Sequence, residues 1–406
     1  MRSRQILPLA MLMVLWIRIP ANAQSLIEWS IPDKGIAFEQ LFKRMESIDN
    51  REDETLVILY IGGSHVQAGW IGHGLRQELA AWAPNTQHSR GLMLPYRIAN
   101  TNTPTHFRTE FTGAWNKQTC IGKTDDQTRH NAPVATGISV HPKTNSNPDK
   151  HWIQHVSYFP DSSRVRTSHL TLWTNAQFNE WKWAGNTPLK TSNPLPNGNG
   201  WQIELSEPAD TIAIEFIPER GRDIWYAGMN TSAPVHGPTC IVHEWGHNGL
   251  RASHASKLEG WEDLLKTLQP DLIFMGLGLN DAIVGNGLNM EQFQSHYAQL
   301  INALQQSGAA IVLMTNTPLA DDLKAMAGAS QTIKAFFQDY AYQHNLGFWD
   351  FGKAIELALE NGTTEVNPWY KPDGIHFTKF GYTQMSQILF AAWHDSYTSW
   401  SKSIGP

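Results

Sequence analysis

The run Thr55-Leu-Val-Ile-Leu-Tyr-Ile61, followed at once by Gly62-Gly63-Ser64-His65, decides the fold of this 406-residue chain. A nearly unbroken apolar run of this kind suits a parallel strand buried on both faces. The glycine pair and the polar residues after it mark the carboxyl end of that strand. The stretch from Ala68 to Trp82 then places Ile71, Leu75 and Leu79 at helical spacing. A strand followed by a helix at the start of a chain predicts an α/β unit.

The same alternation returns much later. Cys240 to Trp245 reads as a strand, Leu258 to Leu268 as a helix and Asp271 to Leu277 as a strand. Met290 to Gln306 (helix), Ala310 to Thr315 (strand), Gln331 to His344 (helix) and Leu346 to Phe351 (strand) continue it, and a helix near Tyr382 to Trp393 closes the pattern. Strands alternating with helices of about 10–15 residues imply right-handed crossovers and a doubly wound parallel sheet. Between Asn102 and Pro238 the texture changes. His169-Leu-Thr-Leu-Trp173, Trp201-Gln-Ile-Glu-Leu205 and Thr211-Ile-Ala-Ile-Glu-Phe216 alternate apolar and polar residues, separated by turn-rich stretches such as Pro142 to Pro148 and Pro194 to Gly200. That is the signature of an inserted, antiparallel, sandwich-like β domain. The expected organisation is a leader over 1–23, α/β segments over 24–101 and 239–406, and the insertion over 102–238.

The leader is read from Arg2 and Arg4, the apolar Ile6 to Ile17 and the small-x-small Ala21-Asn22-Ala23. Arg18 and Pro20 end the apolar part short of the roughly 20 residues that a membrane span needs. The expectation is an exported protein, periplasmic or at the cell surface, with no span after cleavage. A net charge of −6 leaves no electrostatic footprint for nucleic acid. Charged residues are 17% of the chain and tryptophans number 17, so recognition is expected to use rings and amides more than ion pairs. Cys120 and Cys240 could form a bridge contributing roughly 4–5 kcal/mol after export, or could stay as two buried thiols, and nothing in the sequence decides between these.

Three short motifs carry chemistry. Ser64 lies on a Gly-flanked turn after a strand, where an open α/β sheet binds its ligands and where a helix N-terminus favours developing negative charge. Asn280, in Gly278-Leu279-Asn280-Asp281, ends another strand and brings an amide to the same sheet edge. Such an amide aimed at an oxyanion contributes on the order of 3–4 kcal/mol to lowering a barrier. Asp373 and His376, in Asp373-Gly374-Ile375-His376, are spaced so that the carboxylate can hold one imidazole nitrogen while the other faces a serine. Each motif alone is ordinary turn chemistry; in this order they read as a serine esterase.

With these residues the chain resembles the SGNH (GDSL-type) hydrolase family. His65, Val66-Gln67-Ala68-Gly69, Arg90-Gly91-Leu92-Met93-Leu94-Pro95-Tyr96 and Asn100-Thr101-Asn102 are similar to the branch that contains peptidoglycan O-acetylesterases. The resemblance implies a flavodoxin-like sheet with a carbohydrate-module-like insertion. It implies Ser64, Asp373 and His376 as triad, and the N–H of Ser64, the N–H of Gly249 (or, second, Gly246) and the Asn280 amide as oxyanion hole. It also implies an acetylated cell-wall glycan as substrate and no metal or organic cofactor. An esterase or acetyltransferase acting on another polysaccharide is the alternative, as is a non-catalytic glycan-binding descendant. The family usually places Asp where this chain has Gly63, and that Asp would brace the nucleophile turn.

Two further features are weighed against that reading. His243-Glu244-Trp245-Gly246-His247 matches the H-E-x-x-H zinc signature, but that chemistry needs a helix, and the letters here continue a strand. On a strand the two imidazoles would be roughly 13 Å apart. Among the insertion's tryptophans, Trp181 and Trp183 are the expected sugar-facing rings, with the others in the sandwich core.

Overall fold

The computed structural model describes residues 29–31, 35–84, 86–104, 106–121, 132–143, 151–219, 221–231, 237–360 and 369–404. The leader expected over 1–23 and most of the turn stretch expected over 142–148 lie outside these residues. Six parallel strands form one sheet in the order Gly347–Trp349, Ala310–Met314, Leu272–Gly276, Thr55–Gly62, Thr239–Gly246, Gln87–Ser89. The first strand is flanked by the later Leu272–Gly276 on one side and Thr239–Gly246 on the other. The chain therefore reverses its direction of winding beside Thr55–Gly62, and that switch point is where such sheets bind ligands.

Alternation along each strand divides the apolar residues between two cores. Leu56, Ile58 and Tyr60 join Val242, Phe274 and Val312 on one face, covered by the helices Ile36–Asp49, Trp70–Trp82, Phe351–Glu360 and Lys379–Ile404. Leu59 and Ile61 join Trp245, Met275 and Leu313 on the other, covered by Trp261–Leu268, Met290–Gln305 and Ser330–Gln343. Burial on both faces explains why these strands read as continuous apolar runs. Among the described residues, no helix is long and apolar enough to cross a membrane.

Several element bounds differ from expectation for local reasons. The helix expected from Ala68 starts at Trp70, separated by Gly69 (φ +75°) from a short helical turn over Ser64–Gln67. A Cβ at Gly69 would lie 2.3 Å from the His106 ring and 2.6 Å from Pro104, so only glycine fits there. The last strand stops at Trp349. Asp350 then caps a helix not anticipated from the sequence, Phe351–Glu360, by accepting from Thr315 Oγ1 at 2.9 Å and from the Lys353 N–H at 3.4 Å. The final helix runs over Lys379–Ile404, well beyond Tyr382 to Trp393, and the opening helix Ile36–Asp49 was also not read from the sequence. Cys120 and Cys240 are free, buried in different cores, and burial pushes both thiols up to about 12.

Two antiparallel sheets occupy the middle of the chain. They begin at Gly91–Met93, which already pairs with Tyr226–Thr231, so this layer starts before Asn102. Trp181 on one sheet meets Trp201 on the other at 5.4 Å, and Phe216 meets Tyr226 at 5.7 Å. His155 crosses between the sheets, bonded to Thr109 Oγ1 at 3.0 Å and Tyr226 Oη at 2.9 Å.

The parallel strand Thr239–Gly246 holds the two parts together. His243, Trp245 and His247 each bond backbone outside the parallel sheet. The Leu92 N–H donates to His243 Nδ1 at 3.1 Å, Trp245 Nε1–H donates to Ala135 O at 2.7 Å, and His247 Nε2–H donates to Thr136 O at 3.0 Å. The H-E-x-x-H letters are thus a row of pegs on a strand. Glu244 faces Trp70–Trp82. Its Oε2 lies 3.2 Å from Arg76, 3.1 Å from Arg90 and 3.3 Å from His106 Nε2, and its Oε1 accepts from the Gly72 N–H at 3.1 Å.

Two buried carboxylates therefore stand in opposite situations. Burial alone would raise the Glu244 carboxyl, but Arg76 and Arg90 overcome it and hold the group far below its ordinary range. Burial pushes Asp281 up to about 7, against the weaker pull of the Ala252 N–H at 3.3 Å, of Arg251 and of its own backbone. Glu244→Gln strands two buried guanidiniums and is expected to lower stability by about 3–5 kcal/mol in urea unfolding at neutral pH; a loss below about 1 kcal/mol contradicts this account. For Asp281 the folded group binds its proton more tightly than the unfolded one. Its contribution to stability is full below the unfolded value and is lost as pH rises through about 7. Asp281→Asn should flatten the fall in stability between pH values of about 4 and 7, and be the more stable protein at pH ~8 by on the order of a few kcal/mol. An unchanged pH slope would contradict it.

Candidate active site

The nucleophile turn is shaped by close packing. A Cβ on Gly62 would lie 2.4 Å from Val66 Cγ2. The Val66 and Gln67 N–H groups both donate to Gly63 O, at 3.2 and 3.0 Å, which starts the helical turn at Ser64. Buried Gln67 then ties this turn to its neighbours. Its Oε1 accepts from the Asn248 N–H at 2.5 Å, and its Nε2–H donates to Thr101 Oγ1 at 3.0 Å and Asn102 O at 2.7 Å. The loop after strand Thr239–Gly246 is thereby fixed beside Ser64, helped by the His247 N–H, which donates to Gly62 O at 3.2 Å.

Asp373 and His376, the expected acid and base, lie on the loop before the last helix. Lys371 N–H donates to His376 O at 2.7 Å, and Gly374 supplies the positive φ of +65° that the turn requires. Asp373 Oδ1 accepts from the N–H groups of Ile375 (3.0 Å) and His376 (2.8 Å), while Oδ2 faces His376 Nδ1 at 3.0 Å. Desolvation would raise the Asp373 carboxyl, but these hydrogen bonds outweigh it and hold the group at about 2. A carboxylate can only accept, so Nδ1 carries the proton and Nε2 is free to accept. His376 Nε2 lies 2.8 Å from Ser64 Oγ. The three residues form one hydrogen-bonded chain from carboxylate to hydroxyl, the arrangement in which imidazole can take the serine proton.

Asn280 lies in the turn Leu279–Ala282, just past strand Leu272–Gly276, with Nδ2–H donating to Leu250 O at 3.1 Å. A Cβ built on Gly63 would be 2.8 Å from that same nitrogen, so the amide rests directly against the nucleophile turn. Gly249 is exposed, has φ +76° and has open space around it. Gly246 sits inside the strand, where a Cβ would lie 2.3 Å from the Gln67 backbone nitrogen.

The expected sugar-facing tryptophans are placed differently. Trp181 is buried against Trp201 in the core between the antiparallel sheets, so its ring is not available to a glycan, and this corrects the expectation. Trp183 is half-buried and spends its indole N–H on Thr187 O at 2.7 Å. Their alternation on one short strand was ambiguous, because a strand beside a loop can turn either face inward. His65 and Gln67 are the contributors at the nucleophile turn that had no assigned role, although both fall within the motif. A second Ser–His–Asp set was also not foreseen: Ser139 Oγ lies 3.2 Å from His141 Nε2, and His141 Nδ1 lies 2.8 Å from Asp223. Ser139 is fully buried, which denies it any substrate.

Residues 229–384 match the family model of GDSL-like lipases and acylhydrolases. A solved peptidoglycan O-acetylesterase shares the fold with a TM-score of 0.69 at 19% identity, covering 90% of this chain and 98% of its own. An acetylxylan esterase from Geobacillus stearothermophilus aligns with a TM-score of 0.32 at 16% identity, covering 39% of this chain and 72% of its own. No curated protein matches the chain. The likeness to the O-acetylesterase extends through the antiparallel layer, whereas the family model covers chiefly the second α/β segment. Family match and fold agree with the geometry: this chain is a serine esterase, similar over residues 229–384 to the GDSL-like lipases and acylhydrolases and sharing over most of its length the fold of the O-acetylesterase.

Proposed function

We propose that the protein removes O-acetyl groups from a cell-wall glycan, with peptidoglycan as the substrate, outside the cytoplasm. His376 takes the proton of Ser64 as its Oγ attacks the acetyl carbonyl, and the N–H groups of Ser64 and Gly249 and the Asn280 amide hold the oxyanion. The imidazolium of His376 then gives that proton to the departing sugar oxygen, which leaves as a hydroxyl, and water, activated by the same imidazole, releases acetate. The observation that carries this reading is the unbroken Asp373–His376–Ser64 chain beside the sheet's switch point. Gly249 lies exposed in the loop past the strand, whereas Gly246 is paired within it, which favours Gly249 as the backbone donor. The side chains of His376 and Asp373 are 33% and 48% exposed, so water reaches the acyl-enzyme, which favours hydrolysis over transfer to a second sugar. Peptidoglycan is favoured by the likeness, through the inserted layer, to the O-acetylesterase. The leader-like composition of residues 1–23 favours export.

Acetate release from O-acetylated peptidoglycan and from acetylated xylan, measured side by side, tests the substrate. The expected result is faster release from peptidoglycan; preference for xylan would overturn it. Ser64→Ala and His376→Ala should each lower kcat by about three or more orders of magnitude with the fold intact, and near-full activity of Ser64→Ala would sink the mechanism. Gly63→Asp tests how the turn is adapted. Because a Cβ there crowds the Asn280 amide at 2.8 Å, the variant should stay folded but lose turnover by on the order of tenfold or more. Equal or higher turnover would show that Asn280 does not depend on the missing side chain.

A further inference from the structure

His65 directly follows the nucleophile, and both nitrogens of its imidazole are tied to elements remote in sequence. Nδ1 lies 3.0 Å from the Tyr382 hydroxyl on the last helix, and Nε2 lies 3.2 Å from the Thr317 hydroxyl in the loop after strand Ala310–Met314. The ring also packs against His376, Phe377 and Tyr382, with centroids 5.5, 5.5 and 5.9 Å away. His376 and Phe377 belong to the loop that carries the base, and Tyr382 lies in the first turn of the helix that follows it. One side chain therefore spans the nucleophile turn, the acid–base loop and a third loop.

The chemistry of the ring suits this placement. Burial, and then the neighbouring His376, hold the His65 imidazole well below its ordinary range, so it stays neutral. A neutral imidazole offers one donor and one acceptor, and its partners are hydroxyls that can serve as either. Both bonds are thus satisfied in whichever tautomer is present. A charged ring this close to His376 would oppose the imidazolium that forms during acylation, and a neutral ring does not. On the other side of Ser64, Gly62 and Gly63 offer no side chain to restrain the turn.

We propose that His65 is a positioning residue for this esterase: it clamps the Ser64 turn to the loop bearing His376 and to the last helix, and so keeps the serine hydroxyl within hydrogen-bond reach of the base. This rests on the Ser64–His376 reading above. Loss of the clamp leaves the residues present but lets the 2.8 Å contact lengthen, and small misplacements of reacting groups are costly.

The test compares His65→Phe, which keeps a ring but removes both hydrogen bonds, and Tyr382→Phe, which removes a single oxygen. Each is measured by kcat and KM on an aryl acetate, by melting temperature, and by labelling of the nucleophile with an alkyl phosphonate. The expected result for His65→Phe is a kcat lower by about 10- to 100-fold with KM within about threefold. Phosphonate labelling should still reach one per chain, but more slowly. Tyr382→Phe should lose about 3- to 10-fold in kcat, and the double variant little more than His65→Phe alone, because the two act through one contact. A purely structural role would lower the labelled fraction and the melting temperature and leave the labelling rate of the remaining folded chains unchanged. Parental kcat in either folded variant overturns the proposal. Ser64→Ala separates the two readings. If it abolishes labelling while His65→Phe labels at the parental rate, only the positioning role falls; if it still labels, the Ser64–His376 reading itself falls.

Discussion

The strand Thr239–Gly246 is the constraint on which the rest of the molecule depends. In the plane of the sheet it pairs along its whole length with Thr55–Gly62, the strand that ends at the nucleophile. Out of that plane its side chains do two different jobs. His243 and Trp245, with His247 just beyond, hold backbone outside the parallel sheet through three hydrogen bonds. Glu244 points to Trp70–Trp82 and offsets the buried charges of Arg76 and Arg90. Its outgoing loop is then locked against the nucleophile turn by Gln67. Removing one carboxylate from such a cluster is expensive because the cations it served remain buried.

The proposed catalytic edge follows from that scaffold. Ser64, Asn280 and the Asp373–His376 loop come from distant parts of the chain and meet because parallel strands deliver their carboxyl ends to one side. Asp373 holds both the backbone of its own loop and the imidazole, so the orientation of the base and the tautomer it adopts are set by the same group. Glycine serves the site through absent atoms. Gly62 lets Val66 approach, and Gly63 leaves room for the Asn280 amide.

Much of this was legible in the sequence. The parallel strands were visible because burial on both faces removes polar residues from Leu56 through Ile61. The residues of the Asp373–His376–Ser64 hydrogen-bonded chain were visible because they sit in short loops with diagnostic spacing. Other features were hidden for physical reasons. The break at Gly69 depends on crowding by Pro104 and His106, which are far away in sequence. The strand expected through Phe351 ends early because Asp350 caps a helix, a role that an Asp between apolar residues does not announce. Trp181 was assigned to a sugar because alternation shows that a ring has a face but not which sheet covers it. The bonds of His65 join Thr317 and Tyr382, and no local pattern specifies such a long-range pair.

The central claim is that Ser64 carries the acetyl group during turnover. It is tested most directly by mixing the enzyme with an aryl acetate, quenching in acid within one turnover, and measuring the mass of the intact protein and of its peptides. The account predicts a mass gain of one acetyl group on the peptide containing Ser64, absent from Ser64→Ala. Acetate release at the normal rate with no acylated protein, or acetyl trapped on another residue, would contradict it.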